Sequence, residues 1–89
     1  MNITAQALTQ RLQERLNPVF LDVIDESAAH AGHVGANDSG LRTHFRVRIQ
    51  SAIFTGQSRV SRHRLVYDAL QEYIDQGLHA LAIEVIENT

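Results

Sequence analysis

Within the stretch Thr43-His44-Phe45-Arg46-Val47-Arg48-Ile49-Gln50-Ser51, polar and apolar residues alternate cleanly from His44 to Gln50. Successive side chains of a strand point to opposite faces, so the pattern specifies a half-buried strand. Phe45, Val47 and Ile49 face inward; His44, Arg46, Arg48 and Gln50 face water. The spacing then changes. Gly56-Gln57-Ser58 reads as a turn, Ser58 or Ser61 caps a helix that runs to Gln76, and Gly77 ends it. His63, Val66, Tyr67, Leu70 and Ile74 share one face of that helix. Leu78 to Ile86 reads as a last strand, with His79, Leu81, Ile83 and Val85 on one side. A strand-helix-strand crossover within one sheet is almost always right-handed and makes its two strands parallel.

Upstream, Leu8, Leu12 and Leu16 recur at steps of four, with Gln10, Arg11, Gln13, Glu14 and Arg15 on the other face. This spacing predicts an amphipathic helix started near Asn2 or Thr4 and stopped by Pro18. Val19 to Ile24 is β-branched and aromatic and reads as a strand antiparallel to the alternating one, with Val19, Leu21 and Val23 on one face. The order is therefore α-β-β-α-β. It predicts an α+β fold: a single two-layer domain over residues 1–89, with a three-stranded mixed sheet and helices on one face. Residues 27–42 show no periodicity and are rich in Ala, Gly, His, Asn, Asp and Ser. Such a long loop inside a small domain is usually functional or mobile. Strands two and three start at one sheet edge and strand one ends there, so the loop and His79 are expected at the same end.

Composition narrows the function. Eighty-nine residues leave no room for a second core. The net charge is −2 with histidines neutral, and every basic residue is Arg. A domain built to grip phosphates usually carries a basic excess. The chain has no cysteine, which excludes a disulfide scaffold, a thiolate zinc site, a Cys nucleophile and a self-contained Cys-ligated cluster. No apolar run approaches the length of a membrane span. A cytoplasmic protein without membrane contact is the expectation.

Histidines carry the remaining chemistry. His30 and His33, as His30-Ala31-Gly32-His33, lie in the loop, where two imidazoles can reach one metal or act singly toward a partner. Taken alone, the pair reads more simply as solvated loop residues. His79 opens the last strand, where an ordinary role is a hydrogen bond to backbone, but its expected edge is the one that bears the loop. His44 has the parity of a solvent-facing residue beside Arg46, and His63 falls on the expected apolar helix face, so both have structural explanations. Arg59, Arg62 and Arg64, with His63 among them, form a basic cluster near a helix N-terminus, suited to holding a nucleic-acid backbone. Without an adjacent exposed aromatic it is a thin footprint for single-stranded binding. No nucleophile elbow, phosphate loop or carboxylate pair is present, so a stand-alone enzyme is not expected.

These residues also carry a resemblance. The order α-β-β-α-β combines with Asp25-Glu26-Ser27, His30, Thr43-His44-Phe45 and Ser51-Ala52-Ile53-Phe54-Thr55-Gly56. Arg62-His63-Arg64-Leu65-Val66-Tyr67 and His79-Ala80-Leu81 follow. Together, over nearly the whole chain, they resemble the BolA family. The resemblance implies a fold akin to the type II KH domain. It also implies partnership with a monothiol glutaredoxin, with which a [2Fe-2S] cluster is shared. The glutaredoxin cysteine and a glutathione thiol supply ligands from one side, and the BolA-like protein supplies histidine from the other. His79 corresponds to the family's C-terminal histidine. His30 corresponds best to the loop ligand, and His33 is the nearby alternative. The implied role is iron-sulfur cluster assembly, transfer or iron-dependent regulation. The isolated chain would hold no cluster and would be a monomer or weak homodimer.

The bare sequence agrees with that chemistry, because neutral imidazole can replace thiolate on one iron, as Rieske centres show. The second reading is a KH-like regulator that binds DNA weakly through Arg59, Arg62, His63 and Arg64. KH domains use a Gly-x-x-Gly loop, whereas Gly56-Gln57-Ser58-Arg59 lacks the second glycine. A mononuclear zinc or hydrolytic site of His30, His33 and His79 is the third and weakest.

Overall fold

Thr4 and Asn17 bracket the first helix, α1 (Ala5–Leu16). The Ala7 N–H donates to Thr4 Oγ1 at 3.0 Å, relieving one of the unpaired donors at the helix start. Asn17 adopts the left-handed conformation, φ 45°, and its N–H closes on the Gln13 carbonyl just before Pro18. Asn tolerates that conformation better than most residues, so the helix stops where its last buried leucine ends. Leu8, Leu12 and Leu16 are all buried, as their spacing requires.

The computed structural model describes residues 3–26, 44–78 and 80–87. After α1 come β1 (Phe20–Asp25), β2 (His44–Gln50), a 3-10 turn (Ala52–Phe54), α2 (Arg59–Ala69), α3 (Gln71–Asp75) and β3 (Ala80–Val85). The strands lie in the order β1-β2-β3. β1 runs antiparallel to β2, from Phe20↔Gln50 to Asp25↔Phe45. β3 runs parallel to β2, from His44↔Ala80 to Ile49↔Val85. The mixed sheet and its order are those expected from the spacing.

One face of β2 supplies Phe45, Val47 and Ile49 to the core, where they meet Leu8, Leu12 and Leu16 of α1. Val66, Ala69, Leu70 and Tyr73 close the core from α2 and α3, with Leu21, Val23, Leu81, Ile83 and Val85 packed at its margin. The other face carries charge. Arg46 pairs with Glu26 and Glu84, Arg48 pairs with Glu84, and the Arg48 guanidinium sits 5.9 Å from the Phe20 ring centre.

Three local expectations give way to tertiary packing. The helix expected from Ser58 to Gln76 is divided at Leu70, whose backbone leaves helical geometry (φ −106°, ψ 13°). Leu70 and Tyr73 on either side of the break, and Leu78 after Gly77, are all buried in the core. The buried face is therefore Val66, Ala69, Leu70 and Tyr73, while Tyr67 stays 39% exposed and His63 half-buried. Val19 is 73% exposed because the strand begins at Phe20, leaving Val19 in the bend after Pro18. Gly77 ends α3 as expected: at φ +119° it allows the Leu78 N–H to reach the Tyr73 carbonyl at 3.0 Å. Among the described residues, no helix is long and apolar enough to cross a membrane.

Candidate functional site

At one edge of the sheet the segment that leaves β1 and the segment that enters β2 are tied together. The Glu26 N–H donates to the His44 carbonyl at 2.8 Å, and His44 is the register partner of Ala80. Residues 27–43 begin and end at this edge, and His79 directly precedes Ala80 in the chain. His30, His33 and His79 themselves lie outside the described residues. What the structure establishes is that their described chain neighbours Glu26, His44 and Ala80 meet at a single edge. The order of elements alone had led to that expectation.

A surface cavity of ≈ 300 Å³ opens there, lined by Glu26, His44, Phe45, Ala80, Leu81 and Ala82. The short side chains of Ala80 and Ala82 leave the space, and buried Phe45 forms its inner wall. His44 has the outward parity that the alternation predicts, yet it is half-buried and lines this cavity. Its place opposite Ala80 was not legible without the register. Glu26 is held by Arg46 at 3.0 Å. The hydrogen bond to Glu26, and then the carboxylate's charge, raise the Arg46 guanidinium above its ordinary pKa.

Among the described residues, no group of three or more His, Cys, Asp or Glu side chains is placed to hold a metal. The donor set of the whole chain decides what kind of iron site fits. Imidazole and carboxylate are present and thiolate is absent. A [2Fe-2S] cluster fits only with thiolates brought by another molecule, while histidine serves one iron.

The basic cluster of α2 is split by the fold. Arg62 turns toward the far sheet edge, where its side chain is 18% exposed. It donates to the Phe54 carbonyl at 3.1 Å and forms an ion pair with Glu87. With Phe54, Thr55, Gly56, Ile86 and Glu87 it lines a cavity of ≈ 160 Å³. Arg62 thereby fastens the 3-10 turn and the end of β3 to α2. Arg59, His63 and Arg64 point another way and line a groove with Val60 and Tyr67. Phe54, 8 residues before Arg62, and Glu87, 25 residues after it, gave no sequence signal of this division.

Relatives sharpen the picture. Residues 12–88 match the family model of BolA-like proteins. The chain is 48% identical over 80 residues to Protein BOLA1, chloroplastic, of Arabidopsis thaliana, covering 89% of this chain and 50% of that protein. It is 36% identical over 78 residues to the DNA-binding transcriptional regulator BolA of Escherichia coli, covering 88% of this chain and 70% of that protein. The solved structure of the BolA domain of SufE1 from Arabidopsis thaliana superposes with a TM-score of 0.78 at 44% identity, over 91% of this chain and 87% of that one. The chain thus spans half of the Arabidopsis BOLA1 protein and most of the SufE1 domain. With the family model matched over nearly its whole length and the same α+β architecture, the chain belongs to the BolA-like family.

Proposed function

We propose that this protein binds a monothiol glutaredoxin and supplies histidine to a [2Fe-2S] cluster that the partner carries with glutathione. It would act in cluster assembly or transfer, or in iron-dependent regulation. The observation that carries the reading is the meeting of Glu26, His44 and Ala80 at one sheet edge, from which both histidine-bearing segments depart. His79 and either His30 or His33 would provide neutral imidazole nitrogen to one iron. The cluster itself supplies electron-transfer and iron-delivery chemistry. The chain's own residues would position the imidazoles, and the cavity beside His44 and Ala80 would give the partner's surface somewhere to seat. Histidine ligation is more labile than thiolate ligation and ceases on protonation, which suits a cluster that is passed on or sensed.

The test is to mix the protein with cluster-loaded monothiol glutaredoxin and glutathione and record visible absorption and circular dichroism. A spectrum distinct from the sum of the parts is expected, reverting in His79→Ala and in one of His30→Ala and His33→Ala. A purely additive spectrum contradicts the proposal.

A DNA-binding role is the second reading, favoured by the exposed Arg59 and Arg64 and by the name of the E. coli relative. It would rest on two arginines, since Arg62 is engaged by Glu87 and the Phe54 carbonyl. A salt titration of DNA affinity tests it. The affinity should fall steeply with salt and weaken in Arg59→Ala and Arg64→Ala.

A further inference from the structure

We propose that the outward face of α2 is a docking surface for an acidic amphipathic helix of a partner protein. Val60 and Tyr67 give its floor an apolar surface with the His63 imidazole between them, and Arg59 and Arg64 flank it. Together the five residues line a shallow groove of ≈ 440 Å³. Val60 is 66% exposed and Tyr67 39% exposed, on the helix face away from the buried Ala69, with half-buried His63 at the margin toward Val66 and Leu70. Single exposed apolar residues are ordinary, but a contiguous stripe at i, i+3 and i+7 has the spacing by which helices engage one another. It extends for about 10 Å along α2, roughly two turns of a partner helix.

The charges name the partner's chemistry. Arg11, Arg46, Arg48 and Arg62 each form an ion pair. Arg59 and Arg64 form none among the described residues, and they stand on either side of the apolar stripe. Arg59 also occupies the first turn of α2, which contains no acidic residue and where the helix dipole disfavours a cation. Its presence there does nothing for the helix itself. A partner helix with apolar anchors at i, i+4 and i+7 and flanking Glu or Asp complements both the floor and the walls.

Two other occupants fit less well. A second copy would meet this face through a two-fold axis, setting Arg59 and Arg64 against themselves or each other. Among the described residues of this groove, a phosphate backbone would find two arginines with apolar surface between them, on a chain of net charge −2. The groove begins near the sheet end where Arg62 meets Glu87, opposite the edge of His44 and Ala80. Its occupation is therefore compatible with a glutaredoxin at the other edge and does not depend on one.

The test is an ¹⁵N–¹H NMR titration of the whole chain. The probes are a short Glu-rich helical peptide with leucines at i, i+4 and i+7, a scrambled peptide of the same composition, and a short DNA duplex. The helical peptide should shift signals of residues 59–67. Val60→Asp should weaken its binding at least about tenfold and Arg64→Glu about fivefold, with unchanged far-ultraviolet circular dichroism. Absence of any shift with the helical peptide overturns the proposal. Equal affinity for the scrambled peptide overturns it too. So does tighter binding of the duplex that survives Val60→Asp, which would make the face a nucleic-acid site. Signals that move with protein concentration alone and cease to do so in Val60→Asp would make it a self-association surface instead.

Discussion

The two ends of the sheet are built differently. At the end of Gln50 and Val85, polar groups are tied into the fold. Ser51, 2% exposed, donates from Oγ to the Leu16 carbonyl at 2.7 Å and accepts from the Ile53 N–H. Arg62 joins Phe54 to Glu87. At the end of His44 and Ala80, the Glu26 N–H bonds the His44 carbonyl and Arg46 pairs with Glu26 beside an open cavity with Ala80 and Ala82 in its lining. One end fastens helix to sheet, and the other opens at the surface.

Substitutions can break this contrast. Leu12→Ala, in the core that serves both ends, should cost about 2–5 kcal/mol in urea unfolding. A cost under about 1 kcal/mol would mean that α1 is not anchored as described. Ser51→Ala strips the Leu16 carbonyl of its donor and should cost about 1–3 kcal/mol while leaving glutaredoxin binding intact. Asn17→Val forces a β-branched side chain into the left-handed region and should cost about 1–2 kcal/mol, again with binding unchanged. Ala82→Phe works the other way. It should move stability by no more than about 0.5 kcal/mol yet weaken the glutaredoxin complex, measured by calorimetry, by filling the cavity beside His44. If Ala82→Phe destabilises as much as Ser51→Ala, the two ends are not separated as described.

The same contrast divides what the sequence makes legible. Period and punctuation revealed the elements: the alternation of β2, the leucines of α1, and Gly77 at the end of α3. Connection rules lead to the parallel pairing of β2 with β3 and hence to the common edge of Glu26, His44 and Ala80. What escaped depends on contacts distant in the chain. The break at Leu70 has no Gly or Pro to announce it. Ser51 finds Leu16, 35 residues before it, and Arg62 finds Glu87, 25 residues after it. No local pattern announces such pairs. His44 escaped for a related reason: parity gives a side chain's face, but only the register with Ala80 places it at the cavity.

Nitrogen ligation is the most direct test of the proposed function. The chain is labelled with ¹⁵N-histidine, mixed with cluster-loaded monothiol glutaredoxin and glutathione, reduced, and examined by pulsed electron paramagnetic resonance. Coupling of the reduced cluster to ¹⁵N is predicted, abolished by His79→Ala and retained in His63→Ala at the opposite end of the domain. A spectrum without ¹⁵N coupling, or one unchanged by His79→Ala, would contradict the assignment of cluster binding to the His44–Ala80 edge.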